Sequence, residues 1–248
     1  MKTHGPVLVT GAARGTGRAI ATRLLRDGTH VIGTYLRGET EAHELLGQYP
    51  GLVEMHQVDL SSRDQTAALI QACAAKETLG GMVLNAGAIE FALLDETTDA
   101  QWDSVIEINL SANWLLLRGL GHLVAPGAAI VAISSTDATR ASYASIGYTV
   151  SKAGLNALMN CAAAVLGVRQ VRAIALCPGW MNTAMSTKES YEAASLTPLG
   201  RNGTPDEIAA VAVFLLSPHA SFINGSPLVV DGGYGLVDYV MTKEAGGL

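Results

Sequence analysis

The sequence is poor in the residues that build disulfide frameworks, metal sites and nucleic-acid-binding surfaces. Its 248 residues include three cysteines, Cys73, Cys161 and Cys177, which are widely spaced and form no CxxC pair. This set excludes a disulfide framework and a zinc site, and we expect all three thiols to be buried as small apolar side chains. Lysine and arginine form no run and the formal net charge is −6, so no nucleic-acid partner is expected.

Long hydrophobic runs are also missing. The longest strongly apolar stretch, residues 208–216, falls well short of the roughly 18 residues that a membrane-spanning helix needs. The apolar stretch near the N-terminus is too brief for a signal peptide, so we expect a cytoplasmic protein without membrane contacts. Hydrophobic residues nevertheless make up 49% of the chain and charged residues 15%, which favours a globular protein with a large core.

Short apolar runs of strand length alternate with longer segments of helical spacing. The runs occupy residues 6–10, 30–35, 52–58, 81–84, 128–134, 171–177 and 227–230. Several are rich in β-branched residues, as expected of parallel strands buried on both faces. We therefore predict an α/β fold, a doubly wound, Rossmann-like parallel sheet of about seven strands with helices on both faces. No repeat or linker divides the chain, which predicts a single domain over residues 1–248.

A glycine-rich turn, Thr-Gly-Ala-Ala-Arg-Gly-Thr-Gly, covers residues 10–17 after the first predicted strand. It opens a helix that is predicted to reach about residue 26. Glycines at such a turn let the backbone approach a pyrophosphate, which then binds at the positive end of the helix dipole. Ligands of doubly wound sheets bind at this edge, so the turn predicts a dinucleotide site.

The spacing of Gly11, Gly15 and Gly17 resembles that of the short-chain dehydrogenase/reductase family. Further family motifs follow in order along nearly the whole chain: Asp59, Asn85-Ala86-Gly87, Asn109, Ser135, Tyr148, Lys152, Pro178-Gly179 with Thr183, and Asp231-Gly232-Gly233. One departure is Leu84, which stands where the family usually has the first Asn of Asn-Asn-Ala-Gly.

Tyr148 and Lys152 stand at i and i+4 in a segment predicted to be helical over about residues 147–167. They share one helical face, and the lysine cation is expected to lower the pKa of the phenol. Ser135 ends the fifth predicted strand, where its hydroxyl can hold a carbonyl or alkoxide oxygen. The resemblance implies that Ser135 positions the substrate oxygen, Tyr148 is the general acid/base, and Lys152 serves the phenol and the nicotinamide ribose. The resemblance also implies that Asn109 sustains a proton path to Lys152. The alternative is that the Asn109 amide only stabilises a kink in its helix.

The resemblance also implies a set of cofactor-binding residues at the strand ends. They are Gly11, Arg14, Gly15, Thr16, Gly17, Tyr35, Arg37, Asp59, Leu60, Asn85, Ala86, Gly87, Tyr148, Lys152, Pro178, Gly179, Met181 and Thr183. A carboxylate at the end of the second strand would accept hydrogen bonds from a free ribose 2′-hydroxyl and repel a 2′-phosphate. Tyr35 takes about that place here, and Arg14 and Arg37 form a basic pair suited to a 2′-phosphate. The sequence therefore favours NADP(H) over NAD(H).

The segment 180–204 resembles the substrate lid of the family. Its residues Trp180, Met185 and Tyr191, together with Tyr143 from the loop before the catalytic helix, are the substrate-binding candidates. Phe91 can join them in an apolar pocket. No cluster of metal ligands accompanies them, so no metal is expected.

The expected function is hydride transfer between NADP(H) and a ketone/secondary alcohol pair, with a free small or medium apolar ketone preferred. A 3-oxoacyl-acyl-carrier-protein reductase is an alternative, although residues 119–139 carry no Lys or Arg to dock an acidic carrier. A non-catalytic NADP(H)-binding regulator is an alternative of another class, but it would not need Ser135, Tyr148 and Lys152. A sugar epimerase or dehydratase of the family's larger branch usually carries a further substrate domain.

Two predicted helices carry more apolar side chains than one face of a sheet can cover, which predicts a homotetramer or a homodimer. These side chains are Trp114, Leu115, Leu116, Leu117, Leu155, Leu158, Met159 and Val165. The C-terminal tail after Gly233 is also apolar and can reach a neighbouring subunit.

Overall fold

The computed structural model describes residues 5–182, 188–238, 240 and 244. Seven strands form one parallel sheet in the order β3-β2-β1-β4-β5-β6-β7. The strands are β1 (Val7–Val9), β2 (Val31–Tyr35), β3 (Val53–Gln57), β4 (Gly81–Leu84), β5 (Ala129–Ile133), β6 (Arg172–Pro178) and β7 (Leu228–Val230). The helices are α1 (Gly15–Arg26), α2 (Glu39–Gln48), α3 (Arg63–Ala74), α4 (Asp99–Ile106), α5 (Ala112–Leu120), α6 (Ile146–Leu166), α7 (Lys188–Glu192) and α8 (Pro205–Leu216). The doubly wound fold predicted from the sequence is confirmed.

The core consists of two apolar layers, one on each face of the sheet. One layer joins the sheet to α3, α5 and α6 through residues such as Leu69, Leu116 and Leu155. The other joins it to α1 and α8 through residues such as Leu24 and Leu215. Burial on both faces explains why the central strands are continuously apolar instead of alternating.

The order of the strands reverses beside β1, which pairs with β2 on one side and with β4 on the other. Val9, at the end of β1, lies opposite Val83 of β4. The glycine turn after β1 and the residues after β4 therefore open into the same crevice, where doubly wound sheets bind their ligands.

Local sequence signals define several helix starts. Thr204 and Glu207 form a reciprocal capping box at α8, with Pro205 in the first turn, as expected from the Thr-Pro-Asp-Glu sequence. Thr98 and Gln101 form the same box at α4. Between α4 and α5 the chain makes a π-helical turn, Glu107–Ser111, which contains Asn109.

Two expectations about burial are wrong. Cys73 and Cys177 are buried, but Cys161 is exposed, because the buried positions of α6 repeat at helical spacing and leave it on the outer face. In the predicted subunit interface, Leu115, Leu116, Leu117, Leu155 and Met159 are covered within the chain itself. Trp114 and Val165 remain exposed. Among the described residues, no helix is long and apolar enough to cross a membrane.

Candidate active site

The glycine turn forms a cradle at the start of α1. Gly11 and Gly15 have φ values of +68° and +55°, which other residues rarely adopt. A Cβ added at Gly17 would overlap the carbonyl oxygen of Gly11. Arg14, the residue before the helix, makes no side-chain capping bond, and the first turn of α1 contains no acid. The turn therefore leaves the positive end of the helix available to an anionic group.

Thr10 and Asn85 tie this turn to the end of β4. The Thr10 hydroxyl accepts hydrogen bonds from the amides of Asn85 and Ala86, at 2.9 and 3.0 Å. Asn85 Nδ2 in turn donates to the carbonyl oxygen of Thr10 at 2.9 Å. Asn85 and Thr10 thus connect the glycine turn to the end of β4. Sequence reasoning overlooked the role of the Thr10 hydroxyl, which precedes the first glycine.

Basic side chains lie at the end of β2, as the sequence predicts. The side chain of Arg14 packs over Gly38, whose added Cβ would lie 3.2 Å from the Arg14 Cδ. Arg37, the neighbour of Gly38, is exposed, and Tyr35 is partly buried at the last position of the strand. Within the described part of the chain, neither arginine forms an ion pair. The two cations are therefore close to one loop and available to a phosphate.

Several other predicted cofactor residues lie just after the ends of β3 and β6. Asp59 accepts hydrogen bonds from the amide and hydroxyl of Ser61, so its carboxylate fixes the turn after β3, and Leu60 is buried in the core. Gly179 follows β6 so close to Asp231 that an added Cβ would overlap the aspartate side chain. Asp231, in the predicted Asp-Gly-Gly motif, accepts from the Gly233 and Gly235 amides.

Tyr148 and Lys152 lie on the first turns of α6 and share one face, as predicted. The Lys152 side chain is 4% exposed, and its Nζ lies 5.5 Å from the centre of the Tyr148 ring. Nζ donates a 2.8 Å hydrogen bond to the carbonyl oxygen of Ile133, the last residue of β5. The lysine is therefore fixed against the end of the sheet, beside the phenol.

The pKa of Tyr148 does not follow the sequence-based expectation. Burial raises the pKa of the phenol to about 12, although a hydrogen bond with the Ser135 side chain acts in the opposite direction. Burial also lowers the pKa of Lys152 to about 8. The expected net lowering of the tyrosine pKa is wrong for this arrangement, because burial of the phenol outweighs the groups that favour its ionisation. At neutral pH the phenol is protonated and can act as a proton donor.

Ser135 follows β5 and begins a short 3₁₀ turn. Its Oγ accepts a 3.1 Å hydrogen bond from the amide of Asp137, and its side chain lies close enough to Tyr148 to act on the pKa of the phenol. Ser135 and Tyr148 thus present two hydroxyl groups at one place beyond the sheet. That arrangement can hold a single substrate oxygen, as the sequence predicts.

Asn109 is completely buried in the π-helical turn. Its Oδ1 accepts from the Ala88 amide at 2.8 Å, and its Nδ2 donates to the Ala88 carbonyl and the Ser151 hydroxyl at 2.8 and 2.9 Å. Ser151 then donates to the carbonyl oxygen of Tyr148 at 2.7 Å. Asn109 therefore joins the loop after β4 to the catalytic helix, which gives the amide a clear positioning role.

Gly87 lies where the loop after β4 passes the catalytic groups. A Cβ added there would be 3.2 Å from Asn109 Oδ1 and 3.5 Å from Lys152 Nζ. Within the Asn85-Ala86-Gly87 motif, Asn85 is hydrogen-bonded to the glycine turn, and Gly87 lets the backbone pass close to Lys152. The structure brings the cofactor and catalytic candidates into one crevice.

The substrate candidates are more exposed than a formed apolar pocket would leave them. Phe91, Tyr143, Trp180 and Tyr191 are 59%, 91%, 42% and 52% exposed. Thr183 and Met185 lie outside the described residues. The lid segment is held at its base, because Gly203 donates to the Trp180 carbonyl and accepts from the Asn182 amide, at 2.9 and 3.0 Å. Met181 lies between these anchors, as a predicted cofactor neighbour.

Sequence reasoning missed two charged residues beside the site. Asp137 and Arg140 lie in the loop between β5 and α6, and the Arg140 guanidinium stacks on the ring of Tyr234 at 4.9 Å. The sequence does show that Asp137 stands two residues after Ser135. Its meaning depends on how the loop folds, which spacing alone does not determine.

Known proteins resemble this chain over nearly its full length. A family model described as enoyl-(acyl carrier protein) reductase matches residues 11–235. D-threitol dehydrogenase from Mycolicibacterium smegmatis is 36% identical over 92% of this chain and 91% of its own. The 3-oxoacyl-acyl-carrier-protein reductase from Vibrio harveyi is 33% identical over 96% of this chain and 100% of its own.

A solved structure of a related protein has the same fold as this chain. A short-chain dehydrogenase from Burkholderia cenocepacia, in complex with NADP, superimposes with a TM-score of 0.86 at 29% identity. The match covers 92% of this chain and 96% of that one. Together with the doubly wound sheet and the motifs gathered at its edge, these matches show that the chain belongs to the short-chain dehydrogenase/reductase family of oxidoreductases.

Proposed function

We propose that the protein transfers a hydride between NADP(H) and a ketone/secondary alcohol pair, with Tyr148 as the general acid/base. The observation that carries this proposal is the position of the buried Lys152 ammonium group, which lies 5.5 Å from the centre of the Tyr148 ring and is hydrogen-bonded to Ile133, two residues before Ser135. A cofactor-binding regulator would not need two hydroxyls and an ammonium group at one point.

The catalytic residues have separate tasks in ketone reduction. The Ser135 and Tyr148 hydroxyls hold the carbonyl oxygen, and Tyr148 donates its proton to that oxygen as the alcohol forms. The raised pKa of Tyr148 keeps this proton in place at neutral pH. Lys152 provides a cation beside the phenol that favours the tyrosinate left after proton transfer. A nicotinamide held in this crevice would supply the hydride for reduction and accept it in the reverse reaction.

The crevice suits a dinucleotide. Gly17 lets the start of α1 pack against the Gly11 carbonyl oxygen and Asn85, where an added Cβ would overlap both, and the uncapped start of α1 offers backbone amides to the pyrophosphate. Arg14 and Arg37 flank the loop after β2, where a 2′-phosphate on the adenosine ribose would be bound. Tyr35 replaces the acid that would repel this phosphate. The Burkholderia relative was crystallised with NADP, which agrees with this choice of cofactor.

Reduction of 3-oxoacyl-acyl-carrier-protein remains the second candidate, because the Vibrio relative carries that activity in its name. The absence of Lys and Arg from residues 119–139 argues against docking of an acidic carrier. The D-threitol dehydrogenase instead favours a free small molecule. We propose a single catalytic domain in a homodimer or homotetramer, now on the basis of the exposed Trp114 and Val165.

The test compares cofactors and substrates in one set of assays. Purified protein is given ketones and secondary alcohols, and the change in reduced-cofactor absorbance is followed with NADP(H) and NAD(H). We expect kcat/KM for NADPH to exceed that for NADH by at least about tenfold, the effect of one charge-assisted contact. Preference for NADH would reject the assignment of Arg14 and Arg37, and no turnover of any ketone or alcohol would reject the proposed reaction.

Two variants distinguish a direct contact with the 2′-phosphate from a long-range electrostatic effect on cofactor binding. Arg37→Ala should raise the KM for NADPH and leave the KM for NADH nearly unchanged. Arg26→Ala removes a matched exposed arginine at the far end of α1 and should change neither KM. An equal effect of both variants would indicate long-range electrostatics instead of a phosphate contact.

A further inference from the structure

The loop between β5 and α6 places a carboxylate beside the catalytic hydroxyls. The main-chain amide of Asp137 is bonded directly to Ser135 Oγ at 3.1 Å, so the two residues share one turn. The Asp137 carboxylate is partly buried, and it is close enough to Tyr148 to raise the pKa of the phenol. Asp137 therefore lies next to Ser135, in the turn that leads from β5 towards α6.

The carboxylate has no partner among the described residues. Arg140, the nearest cation in sequence, instead donates to the Tyr234 carbonyl at 3.3 Å and stacks on the Tyr234 ring. No ion pair within 4.0 Å joins Asp137 and Arg140 in the described chain. Burial raises the pKa of the Asp137 carboxyl group, and Arg140 acts in the opposite direction. The structure thus pairs the arginine with Tyr234 in the C-terminal segment and leaves the Asp137 carboxylate without a hydrogen bond among the described residues.

We infer that Asp137 is a specificity-determining residue that accepts a hydrogen bond from a substrate hydroxyl next to the reacting carbon. This inference rests on the proposed ketone reduction and names its substrate class, a hydroxy ketone and the corresponding diol or polyol, in place of the apolar ketone expected from the sequence.

Simple chemistry supports this substrate class. An ionised carboxylate offers only acceptor sites, so it suits a hydroxyl donor and repels an anionic group. A ketone without the hydroxyl would desolvate the carboxylate and give it no partner, which sites of this kind discriminate against strongly. Because the reacting oxygen is held at Ser135 and Asp137 is two residues away, a hydroxyl on the neighbouring carbon is within the same small volume.

The test uses two ketones that differ by one hydroxyl, 1-hydroxy-2-butanone and 2-butanone. Rates are measured with NADPH for the wild type, Asp137→Ala and the isosteric Asp137→Asn. We expect the wild type to prefer the hydroxy ketone by at least about tenfold in kcat/KM. Asp137→Ala should reduce this preference to nearly one, and Asp137→Asn, which keeps a neutral acceptor, should fall between. Asp206→Asn, the same substitution at an exposed acid on α8, should keep the wild-type ratio.

The outcomes separate this inference from the proposed function. A wild type that reduces both ketones without preference overturns the role of Asp137 and leaves ketone reduction intact. Variants that keep the wild-type ratio, or that lose both substrates equally, also overturn it, since the acid would then act on the loop or on Tyr148. Failure of the wild type on every ketone would remove both proposals. Because the wild-type ratio is itself decisive, the test does not depend on the folding of a variant.

Discussion

The buried Lys152 should be a source of instability that the protein keeps for its chemistry. Its pKa is lowered from 10.5 to about 8 by burial, and its side chain is 4% exposed. One pKa unit corresponds to about 1.4 kcal/mol, so the charged lysine disfavours the folded state at pH 7 by roughly 3 kcal/mol. Lys152→Met removes this charge, and the lost hydrogen bond to Ile133 offsets about 1 kcal/mol of the gain. We expect a net stabilisation of about 2 kcal/mol at pH 7.

The sign of the pH dependence follows from linkage. Between about pH 8 and pH 10.5 the unfolded chain binds the lysine proton and the folded chain has released it, so the stability of the wild type rises with pH. The advantage of Lys152→Met should therefore be constant below about pH 8 and disappear as pH approaches 10.5. Lys152→Met should also lose turnover, because the cation no longer supports the tyrosinate.

Urea unfolding at pH 7 and at pH 10.5 measures this directly. Lys188→Met, the same change at an exposed lysine of α7, is the control and should shift stability little at either pH. A Lys152→Met protein that is no more stable than the wild type at pH 7, or whose gain persists at pH 10.5, would refute the assigned cost of burial.

Three further predictions concern the site and the assembly. Tyr148→Phe should lower turnover by about 10²- to 10⁴-fold and leave cofactor affinity nearly unchanged in fluorescence titrations; near-normal turnover would reject the proton donor. Gly17→Ala should abolish cofactor binding, whereas Gly47→Ala, in open space on α2, should bind normally and stabilise the protein by about 1 kcal/mol in thermal unfolding. Light scattering should give the mass of a dimer or tetramer, and a mass near 25.8 kDa at micromolar concentration would contradict the proposed assembly.

The features that sequence predicts well here are those fixed by local geometry. Gly11 and Gly15 are predictable because their positive φ values demand glycine. Tyr148 and Lys152 are predictable as neighbours because helical spacing alone puts them on one face. Motif order then places these elements at the same edge of the sheet.

The features that sequence predicts poorly depend on burial and on contacts between distant segments. The pKa of Tyr148 is raised because the whole fold desolvates the phenol, an effect that the spacing to Lys152 does not contain. Cys161 is exposed because of the rotation of α6 on the sheet. The open carboxylate of Asp137 depends on where Tyr234, far along the chain, holds Arg140.

The paired anchors at the base of the lid have a consequence for the evolution of this chain. Trp180 and Asn182 are hydrogen-bonded to Gly203, so the two ends of the intervening segment are held together. Because closing a loop between fixed ends costs free energy that grows only slowly with length, such a segment can be exchanged or lengthened without strain on β6 or α8. We therefore expect that this segment can vary in length and sequence among related chains while Ser135, Tyr148 and Lys152 keep their positions.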